Sequence, residues 1–169
     1  FDDVAAVAWD HESFSSRDSL QEESSAPTLM LVNHDRPEHT RLRKIAAKVF
    51  QPSSIKALTP AVDALVAACM DDFFVPGQAV DVMADYCAML PSRVMAFLFG
   101  MPADMDRDVR NWATAFMLSA DITPEERQSH NREAMAFFER HVREQMDRIE
   151  RGEQVPGPLL DAFIRTEVE

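Results

Sequence analysis

Glycine, tyrosine and cysteine are scarce in this chain of 169 residues. It holds four glycines, one tyrosine and two cysteines, Cys69 and Cys87. Two cysteines exclude a disulfide framework, and a reducing cytoplasmic setting is the default. Positive charge is also short: 17 lysines and arginines face 29 aspartates and glutamates, a net charge of −12. That balance excludes general nucleic-acid binding, which needs phosphate neutralisation, and attraction to an anionic membrane surface. No run of eighteen apolar residues occurs, so no membrane span is expected. The start shows no secretory signal, and there is no internal repeat.

What is present favours helices. Ten methionines and eleven phenylalanines, with so little glycine, suggest a soft, adaptable helical interior. An apolar fraction of 46% and a charged fraction of 27% suit a globular fold, and the length suits one domain. The chain opens at Phe1 without methionine and stops at Glu169 inside a helical pattern. The expectation is a single, incomplete segment spanning 1–169.

The most informative stretch is 35–50. Asp35 and Glu38 stand three apart, as in a capping box, and Pro37 suits a first turn, where its missing N–H has no helical partner. At 100° per residue, Leu42, Ile45 and Val49 form an apolar stripe. Arg41, Lys44 and Lys48 form a basic stripe. His39 and Arg43, one turn apart, share a third face with Ala46 and Phe50. Such a pair is either two solvated residues or two donors holding an anionic group against an apolar wall.

The rest of the chain reads as further helices. Asp2 to Ala8 forms a short one, ended by 13–17. Residues 21–25 are polar and low in hydrophobicity, and Leu29-Met30-Leu31-Val32 is a short strand or a core-packing loop. After a break at 51–54, Thr59 as N-cap and Pro60 at N1 start a helix with Val62, Leu65, Val66, Cys69 and Phe73 on one face. Residues 79–82 are the one credible strand. Residues 83–99 are apolar nearly all round, which predicts a buried helix, kinked or begun at Pro91 and closed by Gly100. Asp104 is placed to cap the next helix, with Val109, Trp112, Ala113, Phe116 and Met117 on its apolar face. Thr123 and Glu126 form a capping box before a long helix whose face runs through Ala134, Phe137, Phe138, His141, Val142, Gln145, Met146 and Ile149. His141 belongs to that stripe and His130 to the surface. Pro156-Gly157-Pro158 turns into a last helical stretch at 159–164. Both cysteines read as buried core thiols.

The string D-x-P-E-H-T-R-L-R-x-x-x-x-x-x-F at 35–50 resembles the C-helix signature of soluble bacterial cytochromes P450. F-D-D-V-A-A-V…F-S-S-R resembles the B helix of that family. D-V-x-x-D-Y…L-P-S-R-V-M-A-F-L-F-G-M-P resembles its E-helix region, and the later helices follow in the order F, G and the start of H. The family commonly carries a second proline where this chain has Arg36. The resemblance implies a mainly α fold, the N-terminal helical part of the P450 domain, with at most one short strand near 79–82. It implies that His39 and Arg43 bind the propionates of haem b. It places Val32 near the haem, and Leu31, Val32, Met117 and Leu118 in the pocket of an apolar small-molecule substrate. It implies a ferredoxin-type electron donor, for which Arg41, Lys44 and Arg43 are docking candidates, since a positive patch steers an acidic partner.

The motifs that would complete the chemistry are missing. In this family a cysteine thiolate in F-x-x-G-x-x-x-C-x-G holds the iron. Cys69 has Leu65 four before it and Asp71 two after; Cys87 has Met83 and Met89. Neither fits, so no metal ligand is expected among the 169 residues. The I-helix [AG]-G-x-[DE]-T pattern and the K-helix E-x-x-R are absent too; Glu38…Arg41 is a coincidence inside the C-helix string. The expectation is part of a monooxygenase, inactive alone, with no catalytic residue in this segment. The alternative is a non-catalytic, all-helical ligand-binding or interaction domain, which would leave the 35–50 string unexplained.

Overall fold

The computed structural model describes residues 1–17, 31–117 and 121–165. The expectations for residues 21–25, Leu29, Met30 and Leu118 lie outside them. Seven α-helices occur among the described residues: α1 (Asp2–Trp9), α2 (Glu38–Val49), α3 (Pro52–Phe73), α4 (Met89–Phe99), α5 (Asp106–Phe116), α6 (Pro124–Glu150) and α7 (Pro158–Arg165). A π-helical turn at Val82–Cys87 leads into α4, and a 3₁₀ turn at Ala103–Met105 leads into α5. No strand forms among the described residues. Ala79 to Asp81 is extended but meets no partner strand, and Val82 is drawn into the π turn because Asp81 Oδ1 accepts from the N–H groups of Met83 and Ala84.

Helix α4 is central, packing against α3, α5 and α7. One core cluster joins Ala96 and Met101 to Trp112 of α5 and Ala134 of α6, with Phe99, Phe137 and Phe138 against it. The Trp112–Phe137 and Phe99–Phe138 rings lie 5.2 and 5.5 Å apart, within the range of favourable aromatic pairs. A second cluster joins Val49 of α2, Leu98 of α4 and Leu159 of α7. This cluster fixes α2, the helix carrying His39 and Arg43.

The two clusters meet at the C-terminal end of α4. Gly100 has φ +64°, and the Met101 N–H reaches back to the Ala96 carbonyl at 2.8 Å, closing the helix in a Schellman turn. A Cβ on Gly100 would lie 2.4 Å from the Pro156 carbonyl oxygen, and one on Gly157 2.4 Å from the Gly100 nitrogen. The start of α7 therefore rests backbone to backbone on the end of α4. His141 of α6, buried as expected of its stripe, adds a hydrogen bond from Nε2 to the Phe99 carbonyl at 2.9 Å.

Several starts and faces differ from the sequence expectation. Helix α3 begins at Pro52, so Pro60 lies inside it and Thr59 is no cap; the Thr59 hydroxyl instead donates to the Ile55 carbonyl at 3.1 Å. Asp104 sits in the 3₁₀ turn and caps nothing, while Asp106 opens α5. The stretch 83–99 is broken at Ala88, with Pro91 in the first turn of α4, and its exposed Met83 and Met95 show that it is not buried all round. Cys69 is buried, but Cys87 is exposed, because the π turn rotates it out of the core. The capping box at Thr123 and Glu126 forms as expected.

By length and composition alone, Pro52–Phe73 and Val82–Phe99 are apolar enough to cross a bilayer. A mean hydropathy averages over residues such as Lys56, Asp63, Asp85 and Arg93, which interrupt an apolar run. The two stretches pack against each other, and the second is two helical pieces. Arg93 in its middle pairs with Asp72 of α3 at 2.7 Å and Asp106 of α5 at 2.9 Å.

Candidate functional site

The entrance to α2 is built differently from a capping box. Its N-cap is Pro37, and no side chain caps it. Asp35 turns away from the helix. It accepts from the Ser15 hydroxyl at 2.5 Å and the Ser16 N–H at 2.8 Å, with Arg17 Nε at 3.7 Å. The Ser15 hydroxyl, then the Ser16 N–H, hold its carboxyl below the usual aspartate value, with Arg17 adding a weaker attraction. Asp35 thus ties the segment after α1 to the start of α2. Glu38, instead of reaching back to the cap, lies 3.7 Å from His34 Nδ1.

That tether shapes a cleft of about 260 Å³ between α1, the 11–16 segment and the first turn of α2. His39 forms part of its wall with Leu31, His34 and Arg36, and α1 contributes Val7 and Ala8. His39 is half-buried. Arg43, one turn on, is exposed and lies outside the cleft lining. Neither side chain has a hydrogen-bond or ion-pair partner among the described residues. For Arg43 this is notable in a chain with 29 carboxylates, because a guanidinium presents five donors. Below them the expected face is divided: Ala46 is buried against the core and Phe50 is exposed. His39 and Arg43 thus stand one turn apart on α2, the first in the cleft wall and the second facing solvent.

The other sequence candidates fall apart in space. Leu31 shares the cleft with His39, whereas Val32 is exposed beside it. Met117, at the C-terminal cap of α5, is 78% exposed and lines none of the clefts described here. Arg41, Lys44 and Lys48 form an exposed basic stripe, as their spacing predicts. Neither cysteine lines the His39 cleft. Sequence reasoning missed the Asp35 tether and the Asp72–Arg93–Asp106 cluster. The only signal for the first was the S-S-R string at 15–17, and contacts between distant helices leave no periodic signal.

No protein-family model matches the chain. Individual proteins do. It is 36% identical over 109 residues to the mycinamicin IV hydroxylase/epoxidase of Micromonospora griseorubida, covering 64% of this chain and 27% of that protein. It is 30% identical over 151 residues to the cytochrome P450 monooxygenase PikC of Streptomyces venezuelae, covering 89% of this chain and 34% of PikC. Its fold matches substrate-free CYP109E1 from Bacillus megaterium with a TM-score of 0.77 at 21% identity, over the whole of this chain and 45% of that one. The chain spans less than half the length of each of these proteins. With this helix order and these relatives, the chain belongs to the cytochrome P450 family, as a segment of its helical fold.

Proposed function

We propose that these 169 residues are the N-terminal part of a haem-thiolate monooxygenase that oxidises an apolar small molecule with O₂. The observation that carries this reading is the unpartnered His39–Arg43 pair on α2, inside a string that resembles the family's propionate-binding helix. Haem b, when bound, supplies the oxygen-activating chemistry. The residues of this segment hold and orient it. His39 and Arg43 donate to the propionates, and charge-assisted bonds of this kind are about twice as strong as neutral ones. The buried contacts of Ile45, Ala46 and Val49 keep the pair in place. Leu31, Val32, Met117 and Leu118 are assigned to a substrate pocket that only elements outside these residues would close. A ferredoxin-type donor would dock on the exposed stripe of Arg41 and Lys44, its acidic face steered by local positive charge on an otherwise acidic protein. The thiolate ligand is assigned to a part of the protein outside these residues, and the compartment to the cytoplasm.

The test uses the full-length protein. Replacing both His39 and Arg43 by alanine lowers the haem-to-protein absorbance ratio after desalting, while the helical circular dichroism is retained. Haem content equal to that of the parent refutes the assignment. Reconstituting the isolated segment with haem gives no thiolate-type carbon monoxide spectrum; observing one would overturn the division of labour.

A further inference from the structure

We propose that a second cleft, remote from α2, binds a small organic carboxylate bearing an apolar tail. The cleft lies between the C-terminal end of α3, the π turn and α5, and measures about 560 Å³, within the usual range for sites that take small organic molecules. Its apolar lining includes Phe73, Val80 and Met89. Arg107, Arg110 and Asn111 of α5 also line it, as do Arg93, Asp72 and Asp85.

The charges at the cleft balance, but they are unevenly paired. Asp72 and Asp106 both pair with Arg93, while Asp85, also in the lining, keeps its charge and accepts from the Asp81 N–H at 3.1 Å. Neither α5 arginine forms an ion pair among the described residues. Arg110 is half-buried, yet among the described residues its guanidinium reaches only the Ala84 carbonyl at 3.4 Å and Met89 Sδ at 3.9 Å. Both contacts are long and neutral. The Arg107 guanidinium has no partner among the described residues. Each guanidinium can offer a planar fork to a carboxylate, and the two stand one turn apart on α5. Asn111 can add an amide donor, and the apolar side chains of the lining, Met89 beside Arg110 among them, take the tail. A fully hydrated inorganic anion would gain nothing from those apolar side chains.

The probe is 4-phenylbutyrate, titrated calorimetrically into the full-length protein, with the neutral 4-phenylbutan-1-ol and inorganic phosphate as comparisons. The acid is expected to bind at least about tenfold more tightly than the alcohol. Arg107→Gln with Arg110→Gln should weaken the acid about tenfold and leave the alcohol unchanged. Arg107 is exposed, so Arg107→Gln alone tests the same contact without disturbing the fold, with an expected loss of about threefold. Equal binding of acid and alcohol overturns the proposal, as does acid binding unaffected by either variant, or no acid binding at all. Phosphate displacing the acid at equal concentration overturns the role of the apolar lining.

Discussion

Asp35 shows how one side chain changes role between sequence and structure. Read locally, it caps a helix; folded, it accepts hydrogen bonds from residues twenty and nineteen positions earlier. The consequence is a pH dependence of known sign. Its folded pKa is lowered below the ordinary 3.8, first by the Ser15 hydroxyl and then by the Ser16 N–H. A group whose pKa falls on folding contributes stability above its unfolded pKa and loses it as pH drops through the folded value. The loss therefore lies in the acid range, below about 4. Asp35→Asn in the full-length protein is expected to flatten that part of the stability-against-pH curve and leave the neutral-to-alkaline part parallel. Denaturant unfolding at a series of pH values checks this, and an unchanged acid limb would show that the tether carries no folding energy.

Elements are legible where a single signal decides and misread where two compete. Pro52 and Pro60 each suit a first helical turn, and only the packed structure selects the earlier. The 79–82 stretch has strand composition, but a strand is half of a pair, and the described residues offer no partner. The apolar run at 83–99 carries no periodicity, so sequence gave no way to see that Cys87 would face out. By contrast, the box at Thr123 and the glycine stop at Gly100 are local devices, read correctly from four residues each. Why Gly157 must be glycine is invisible until α7 is laid on α4. Its added Cβ would meet the Gly100 nitrogen and the Phe99 carbonyl carbon, both at 2.4 Å. Backbone cannot rotate aside as a side chain can. Gly157→Ala should therefore displace α7 and cost about 1–3 kcal/mol, as overpacking does, whereas Gly152→Ala meets no atom within 4 Å and carries only the strain of its positive φ. Urea midpoints of the two variants separate the effects. A Gly157→Ala protein as stable as the parent would mean that the α4–α7 contact is looser than described.

At the scale of the whole molecule, the family and the order of helices were written in motifs, while the site was only half written. His39 and Arg43 stand out through spacing and resemblance, and their side chains find no partner among the described residues. Apolar surface is left open as well. Met135 and Met146 of α6 are 55% and 49% exposed, and with Phe138 and Val142 they line an apolar groove of about 410 Å³. Met83, Met95 and Met117 are exposed as well. Contiguous apolar surface of this kind marks an interface or an aggregation hazard. The 169-residue chain produced alone is thus expected to bind anilinonaphthalene sulfonate and to self-associate in a concentration-dependent way. Met135→Gln with Met146→Gln should lower both, because neither side chain is part of the buried core and the polar replacements keep helical propensity. Dye fluorescence and sedimentation velocity across a tenfold concentration range provide the readout. A monomeric, dye-silent chain would mean that these helices close their own apolar faces in solution, and the groove on α6 would then need no covering element.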